Sequence, residues 1–262
     1  MKQIFDSLKK QSPSRIIALG FSAVILVGAV LLMMPFSLKK GVHLSFLNAL
    51  FTSTSAVCVT GLVVVDTADS FTAIGQAIVA ALIQIGGLGI ASVGVGFIIA
   101  AGKRVSIKSR LMVKEALNVD TYHGMVRLVR IVLAITLGFE AAGAIISFFV
   151  FRKDYSPLHA VGISIFHSIA AFNNAGFDNL GGMHNLIPYK DNILLNITTD
   201  VLVIVGGIGF LVLVDIVKQK SFKKLCLHSK VAISMTAVLL IGGTLILKAT
   251  ENIHGWEHFS RV

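Results

Sequence analysis

Apolar residues in this chain come in long unbroken blocks, not in the one-sided stripes of a surface helix. Five blocks, 16–36, 71–101, 125–151, 193–217 and 231–248, are long enough to span a membrane. A helix rising 1.5 Å per residue needs about 20 residues to cross a bilayer core of about 30 Å. Two further blocks, 44–57 and 157–171, are too short. At about 14 residues they predict helices of about 21 Å, which end partway through the core. Each is followed by a glycine-bearing irregular stretch, so each predicts a half-crossing helix with a returning loop. Such backbone is tolerated at membrane depth only where protein buries it or water reaches it.

The order is helix, half-helix with loop, helix, and then the same again, which is an internal repeat. The first half-helix runs out through Ser55-Ala56-Val57-Cys58-Val59-Thr60-Gly61-Leu62, the second through Ala170-Ala171-Phe172-Asn173-Asn174-Ala175-Gly176-Phe177. Gly176 follows Gly61 by 115 positions, and the same offset relates Phe166 to Phe51, Ser168 to Ser53 and Arg130 to Arg15. The helices after the loops carry Ile85-Gly86-Gly87-Leu88-Gly89 and Val205-Gly206-Gly207-Ile208-Gly209, offset by 120 because the second loop is longer. The fold class expected is an all-α membrane protein of repeated M1–P–M2 units: transmembrane helix, re-entrant pore helix with filter loop, transmembrane helix. The expected division is an N-terminal segment 1–15, a first repeat 16–101, a loop 102–124, a second repeat 125–217, a loop 218–230, and the first helix of an incomplete third repeat at 231–262.

Composition agrees with the pattern. Hydrophobic residues are 55%, charged residues 14% and mean hydropathy +0.85. A soluble domain carries about 25% charged residues, so a soluble enzyme, a disordered tail and a disulfide scaffold are all excluded. The net charge of +10 would suggest nucleic acid in a soluble protein. Here the basic residues lie between apolar blocks and report topology, so no nucleic-acid partner is expected. Sixteen of the 23 Lys and Arg fall in the N-terminal segment, 102–130 and 218–230. The positive-inside rule places these three in the cytoplasm and predicts a multi-pass plasma-membrane protein with a cytoplasmic N-terminus. The half-helices then enter from outside, where Asp66, Asp69, Asp154, Asp178 and Asp191 give an acidic bias that attracts cations. The first block is too long for a signal peptide and no small-x-small cleavage site follows it. The two cysteines, Cys58 and Cys226, form no metal-binding spacing and are not expected to pair.

A half-helix entering from outside points its partially negative C-terminal end at the membrane centre, which favours a cation there. A glycine after it permits backbone angles closed to other residues, so that successive carbonyls can face one axis and replace an ion's hydration shell. The alternative is a mere turn back to the surface; two matching loops favour the filter. The Gly-Gly-x-Gly stretches at Gly86, Gly87, Gly89 and Gly206, Gly207, Gly209 suit close helix packing or a hinge, with packing preferred. Glu140 and Asp200 are charges within membrane blocks and therefore functional candidates. Glu140 has either a structural partner or a transport role, and Asp200 a part in drawing cations inward. His167, on the second half-helix, is read as a packed or hydrogen-bonded histidine. The amphipathic stretch 111–117 reads as a surface helix, with membrane contact or partner docking as alternatives. No catalytic motif occurs, which leaves an intramembrane enzyme as the weaker rival.

At these loops the sequence resembles the Trk/Ktr/HKT potassium transporter family, closest to the KtrB-like membrane subunits of bacterial Ktr uptake systems. The residues that carry the resemblance are 52–62 continuing to Val65-Asp66-Thr67, Leu82-Ile83-Gln84-Ile85-Gly86-Gly87-Leu88-Gly89, 170–177 and Gly206-Gly207-Ile208-Gly209-Phe210. The likeness runs from about Arg15 to about Lys248. The resemblance implies four repeats around one pore, one filter glycine from each, and a homodimer on a cytosolic ring of RCK-type nucleotide-binding regulatory subunits. Potassium is the substrate, with sodium as a coupling or activating ion in some members, and no cofactor is bound. Carried over by position, the filter residues are Val59, Thr60 and Gly61, and Asn174, Ala175 and Gly176. Cys58 departs from the small or hydroxyl residue usual at its position. The chain carries two complete repeats, so a shortened, non-conducting chain with an assembly role stands as the alternative to an uptake protein.

Overall fold

The structure, a computed structural model, describes residues 12–117 and 124–254. Helix dominates; the only pairing of extended backbone among the described residues is one antiparallel bridge, Leu38 to Phe71. The first helix, α1 (Pro13–Met33), is followed by α2 (Phe46–Cys58), the short α3 (Thr67–Ser70), α4 (Ala73–Leu88), α5 (Ile90–Ala100) and α6 (Ile107–Ala116). Next come α7 (Met125–Phe151), α8 (Pro157–Phe172), a 3-10 turn (Ile187–Tyr189) and α9 (Ile193–Gly207). The chain divides into two compact units at Gly207–Ile208. The second holds α10 (Phe210–Gln219), a 3-10 turn (Phe222–Lys224) and α11 (Leu227–His254).

Among the described residues, three helices are long and apolar enough to cross a membrane: 14–33, 125–151 and 227–250. The half-helices are α2 and α8, of 13 and 16 residues. The crossings expected over 71–101 and 193–217 are each broken in two. The first turns by 104° between α4 and α5. The cause is Gly89, at φ +77°; Gly209 stands at the second break with φ +96°. An apolar block gives the length of a membrane segment and not its direction, so the block pattern by itself hid both breaks.

The two repeats are built on one plan. Ser53 Oγ of α2 donates to the Ile25 carbonyl of α1 at 2.8 Å, and Ser168 Oγ of α8 donates to the Glu140 carbonyl of α7 at 2.7 Å. Each serine sits in a slot left by a glycine. A Cβ on Gly28 would strike Ser53 Oγ and Leu82; one on Gly143 would strike Ser168 Oγ and Leu202. Donor, acceptor and glycine all repeat at an offset of 115, and the leucines at 120. A buried hydroxyl in a bilayer needs an acceptor, and a neighbouring carbonyl can approach only where no side chain intervenes.

One hydrophobic cluster joins the repeats. Ala29, Leu32, Val57, Phe71, Val79 and Ile83 pack with Phe166, Ala170, Ala175 and Phe177. A second cluster gathers Ala91, Val95, Val113, Met125 and Val129. It buries Val113 of α6 against α5 and α7, so the amphipathic stretch packs on the protein itself. Ser14 Oγ donates to Glu115 Oε1 at 2.8 Å and ties α6 to α1. In the second unit the Cys226 N–H donates to Asp215 Oδ2 at 2.9 Å, which closes the turn between α10 and α11. Within 227–250 only Ser229 is buried.

Candidate functional site

Both half-helices end in the same left-handed cap. The Val59 N–H donates to the Ala56 carbonyl and the Thr60 N–H to the Ser55 carbonyl, at 3.3 and 3.0 Å. In the second repeat the Asn174 N–H donates to the Ala171 carbonyl and the Ala175 N–H to the Ala170 carbonyl, at 3.1 and 2.8 Å. This pair of bonds satisfies the last helical carbonyls and requires a left-handed residue at the corner. Val59 takes it at φ 55° and Asn174 at φ 56°. Asparagine tolerates that region; a β-branched residue does so only under strain. Thr60 Oγ1 adds a 2.9 Å bond to Ser55 Oγ, and Asn174 Nδ2 donates to the Val203 carbonyl of α9 at 3.2 Å.

Beyond each corner the chain turns again at a positive-φ glycine, Gly61 at φ +75° and Gly176 at φ +68°. These glycines meet. A Cβ on Gly61 would lie 3.0 Å from the Ala175 carbonyl oxygen and 3.1 Å from the Gly176 Cα; one on Gly176 would lie 2.9 Å from the Gly61 Cα. The sequence-predicted residues Val59, Thr60, Gly61, Asn174, Ala175 and Gly176 therefore come together as two loops, glycine against glycine.

The Gly-Gly-x-Gly stretches divide their roles by position. A Cβ on Gly86 would strike the Val57 carbonyl, and one on Gly206 the Phe172 carbonyl. Gly86 and Gly206 thus let each post-loop helix pack backbone to backbone on its own half-helix. Gly87 makes room for the Asn173 side chain, while Gly207 is in ordinary contact with the Asn174 amide, at 3.6 Å. A Cβ on Gly89 or Gly209 would meet nothing within 4 Å, so these two serve the breaks alone.

Glu140 is buried, and Asn173 Nδ2 donates to its Oε1 at 3.2 Å. Asp200 is exposed on α9 and joins none of the hydrogen bonds described around the loops. His167 Nε2 pairs with Thr199 Oγ1 at 3.0 Å and its ring meets Phe151 edge-on, as a packed histidine should. Asp66 and Asp69 of the first repeat are engaged by the second. The Met183 N–H donates to Asp66 Oδ2 at 2.8 Å and the Gly182 N–H to Asp69 Oδ2 at 3.0 Å. Asp154 accepts from the Tyr189 hydroxyl at 2.9 Å, which together with burial raises the Tyr189 pKa. Burial likewise raises the Asp178 carboxyl above its usual range. Sequence reasoning missed Gly28, Gly143, Gln84 and Asn173. The offset of 115 does pick out the two glycines once Ser53 and Ser168 are aligned.

Residues 8–251 match the profile of the TrkH family, described as cation transport protein. The chain belongs to this family. Among its relatives, the potassium/sodium uptake protein NtpJ of Enterococcus hirae is 41% identical over 243 residues, covering 93% of this chain and 53% of that protein. The Ktr system potassium uptake protein B of Bacillus subtilis is 41% identical over 238 residues, 91% of this chain and 51% of that protein. The protein of the same name from Vibrio alginolyticus is 36% identical over 248 residues, 94% of this chain and 53% of that protein. The chain thus spans about half the length of the curated relatives it matches. TrkH membership makes it a multi-pass membrane protein of a transporter family, not an enzyme.

Proposed function

We propose that this chain supplies two of the filter loops of a potassium uptake pathway, within a Ktr-type system of the plasma membrane. The observation that carries the reading is the meeting of Gly61 with Gly176 at the ends of two identically capped half-helices. Carbonyls held at such corners are acceptors with no side chain in front of them. The helix ends add partial negative charge, and a cation can exchange water for that set of oxygens. The names of the Enterococcus hirae and Bacillus subtilis relatives support potassium as the substrate, with sodium as the second ion. The basic segments set the orientation, with the N-terminus in the cytoplasm. A cytosolic RCK-type regulatory subunit and a second copy of the chain are the expected partners.

The test joins the chain in frame to the second half of the Bacillus subtilis relative and measures rubidium uptake against sodium, normalised to inserted protein. Gly61→Ser and Gly176→Ser should each lower rubidium selectivity by at least about tenfold while insertion holds, because a side chain crowds the axis and opposes the positive φ. Gly87→Ser, which crowds the Asn173 side chain, should lower protein level. Unchanged selectivity in both filter variants would reduce the loops to ordinary turns. The chain expressed alone should give no selective uptake, since two loops provide half of a four-membered ring; this outcome also fits the second reading, an assembly role without conduction. Uptake by the chain alone would require its copies to complete the ring between them.

A further inference from the structure

The register set by Ser53 and Ser168 pairs Ile25 with Glu140, the residues whose carbonyls accept the two hydroxyls. The same offset pairs Cys58 with Asn173. The repeats therefore share a scaffold but differ at two neighbouring positions. The first has an aliphatic side chain and a thiol there; the second has a carboxyl and an amide, both buried. Asn173 Nδ2 faces three acceptors, the Ile169 carbonyl at 2.9 Å, Gln84 Oε1 at 3.0 Å and Glu140 Oε1 at 3.2 Å. Gln84 belongs to α4 of the first repeat and Glu140 to α7 of the second. The Gln84 side chain lies beside the Glu140 carboxyl. Gly87, one residue beyond Ile85-Gly86, has no side chain because the Asn173 side chain fills that place.

Asn173 caps α8 and is bonded covalently to Asn174, the first residue of the second loop. Whatever fixes its side chain fixes the plane of the peptide that opens that loop. We propose that Glu140 and Gln84 are positioning residues that aim the second filter loop through Asn173, so that ion selection at this loop depends on both repeats. The first loop has no counterpart and depends on its own cap. The proposal rests on the filter reading above and adds to it an asymmetry between the loops. A carboxyl buried in a bilayer is costly unless donors surround it, and Asn173 Nδ2 is such a donor. The arrangement therefore fixes Asn173 firmly, and it does so at the point where the loop begins.

The experiment uses the same fused chain and the same ratio of rubidium to sodium uptake per inserted protein. Glu140→Leu and Gln84→Leu should each lower the ratio about three- to tenfold, and the double variant should lower it no further than the worse single one, because both act through Asn173. Glu140→Gln keeps an oxygen facing Asn173 and should retain at least about half of the ratio. Ile25→Leu, at the matching place in the first repeat, should leave the ratio unchanged. If Glu140→Leu fails to insert, Gln84→Leu and Glu140→Gln decide the matter. A ratio equal to that of the unmodified chain in Gln84→Leu, or full additivity in the double variant, overturns the proposal. A lowered protein level with normal selectivity in what remains would make the cluster merely structural and also overturn it. Gly176→Ser separates the two levels: if it too leaves the ratio unchanged, the filter reading fails; if it abolishes selectivity while the Glu140 and Gln84 variants do not, only the positioning role fails.

Discussion

Val59 holds a left-handed backbone, φ 55°, at the corner where glycine or asparagine is the usual occupant. For a β-branched residue that conformation costs about 1–2 kcal/mol. It persists because the cap bonds of Val59 and Thr60, and the Thr60–Ser55 hydroxyl pair, hold the corner from both sides. Val59→Gly should therefore raise thermal stability in detergent, by up to about 1 kcal/mol once the greater freedom of an unfolded glycine is set against the gain. Asn174→Gly should gain less, since asparagine tolerates the same angles. A lower melting temperature for Val59→Gly would show that the valine side chain contributes packing that outweighs its strain. Nothing in the sequence marked Val59 as strained. Its position in the loop was legible from the spacing to Gly61, but its backbone angle follows from the cap, which only the folded half-helix creates.

Among the elements, the half-helices and their loops were the most legible, because a length too short to cross and a glycine at the end are both written in the sequence. The slots that hold them were not. Glycine is common in membrane helices, and Gly28 and Gly143 carry no local signal that a serine from another helix will lie against them. Gly28→Ala or Gly143→Ala should push the matching serine off its carbonyl and cost about 1–3 kcal/mol through overpacking. The check is the melting temperature and the yield of inserted protein; wild-type values for both variants would mean that α1 and α7 can draw back at no cost. At Gly89 and Gly209 a hinge ranked below packing for a related reason. In Ile85-Gly86-Gly87-Leu88-Gly89 three glycines share five positions, and two of them do pack, so the pattern carries packing and bending in one stretch.

Over the whole chain, the repeats are joined both by the shared apolar cluster and by polar ties near the loops. The carboxylates of Asp66 and Asp69 hold the backbone at Met183 and Gly182, and Asn179 Nδ2 donates to Gln76 Oε1 at 3.0 Å. These contacts span more than a hundred positions, beyond what spacing arguments reach. Orientation remains the simplest global prediction: cysteines placed at Lys108 and Lys223 should label from the cytoplasmic side and one at Lys190 from the outside. External labelling at position 108 would invert the topology.

The Ser53 slot also fixes an order of events during synthesis. The carbonyl that receives the hydroxyl belongs to α1 and is made before Ser53. Leu82, which closes the slot, is made later. A half-helix of 13 residues, about 20 Å long, cannot anchor itself across hydrocarbon while it waits. It can fold back between its neighbours only after α4 has arrived. Within each repeat, the last helix made thus closes over the segment that came before it.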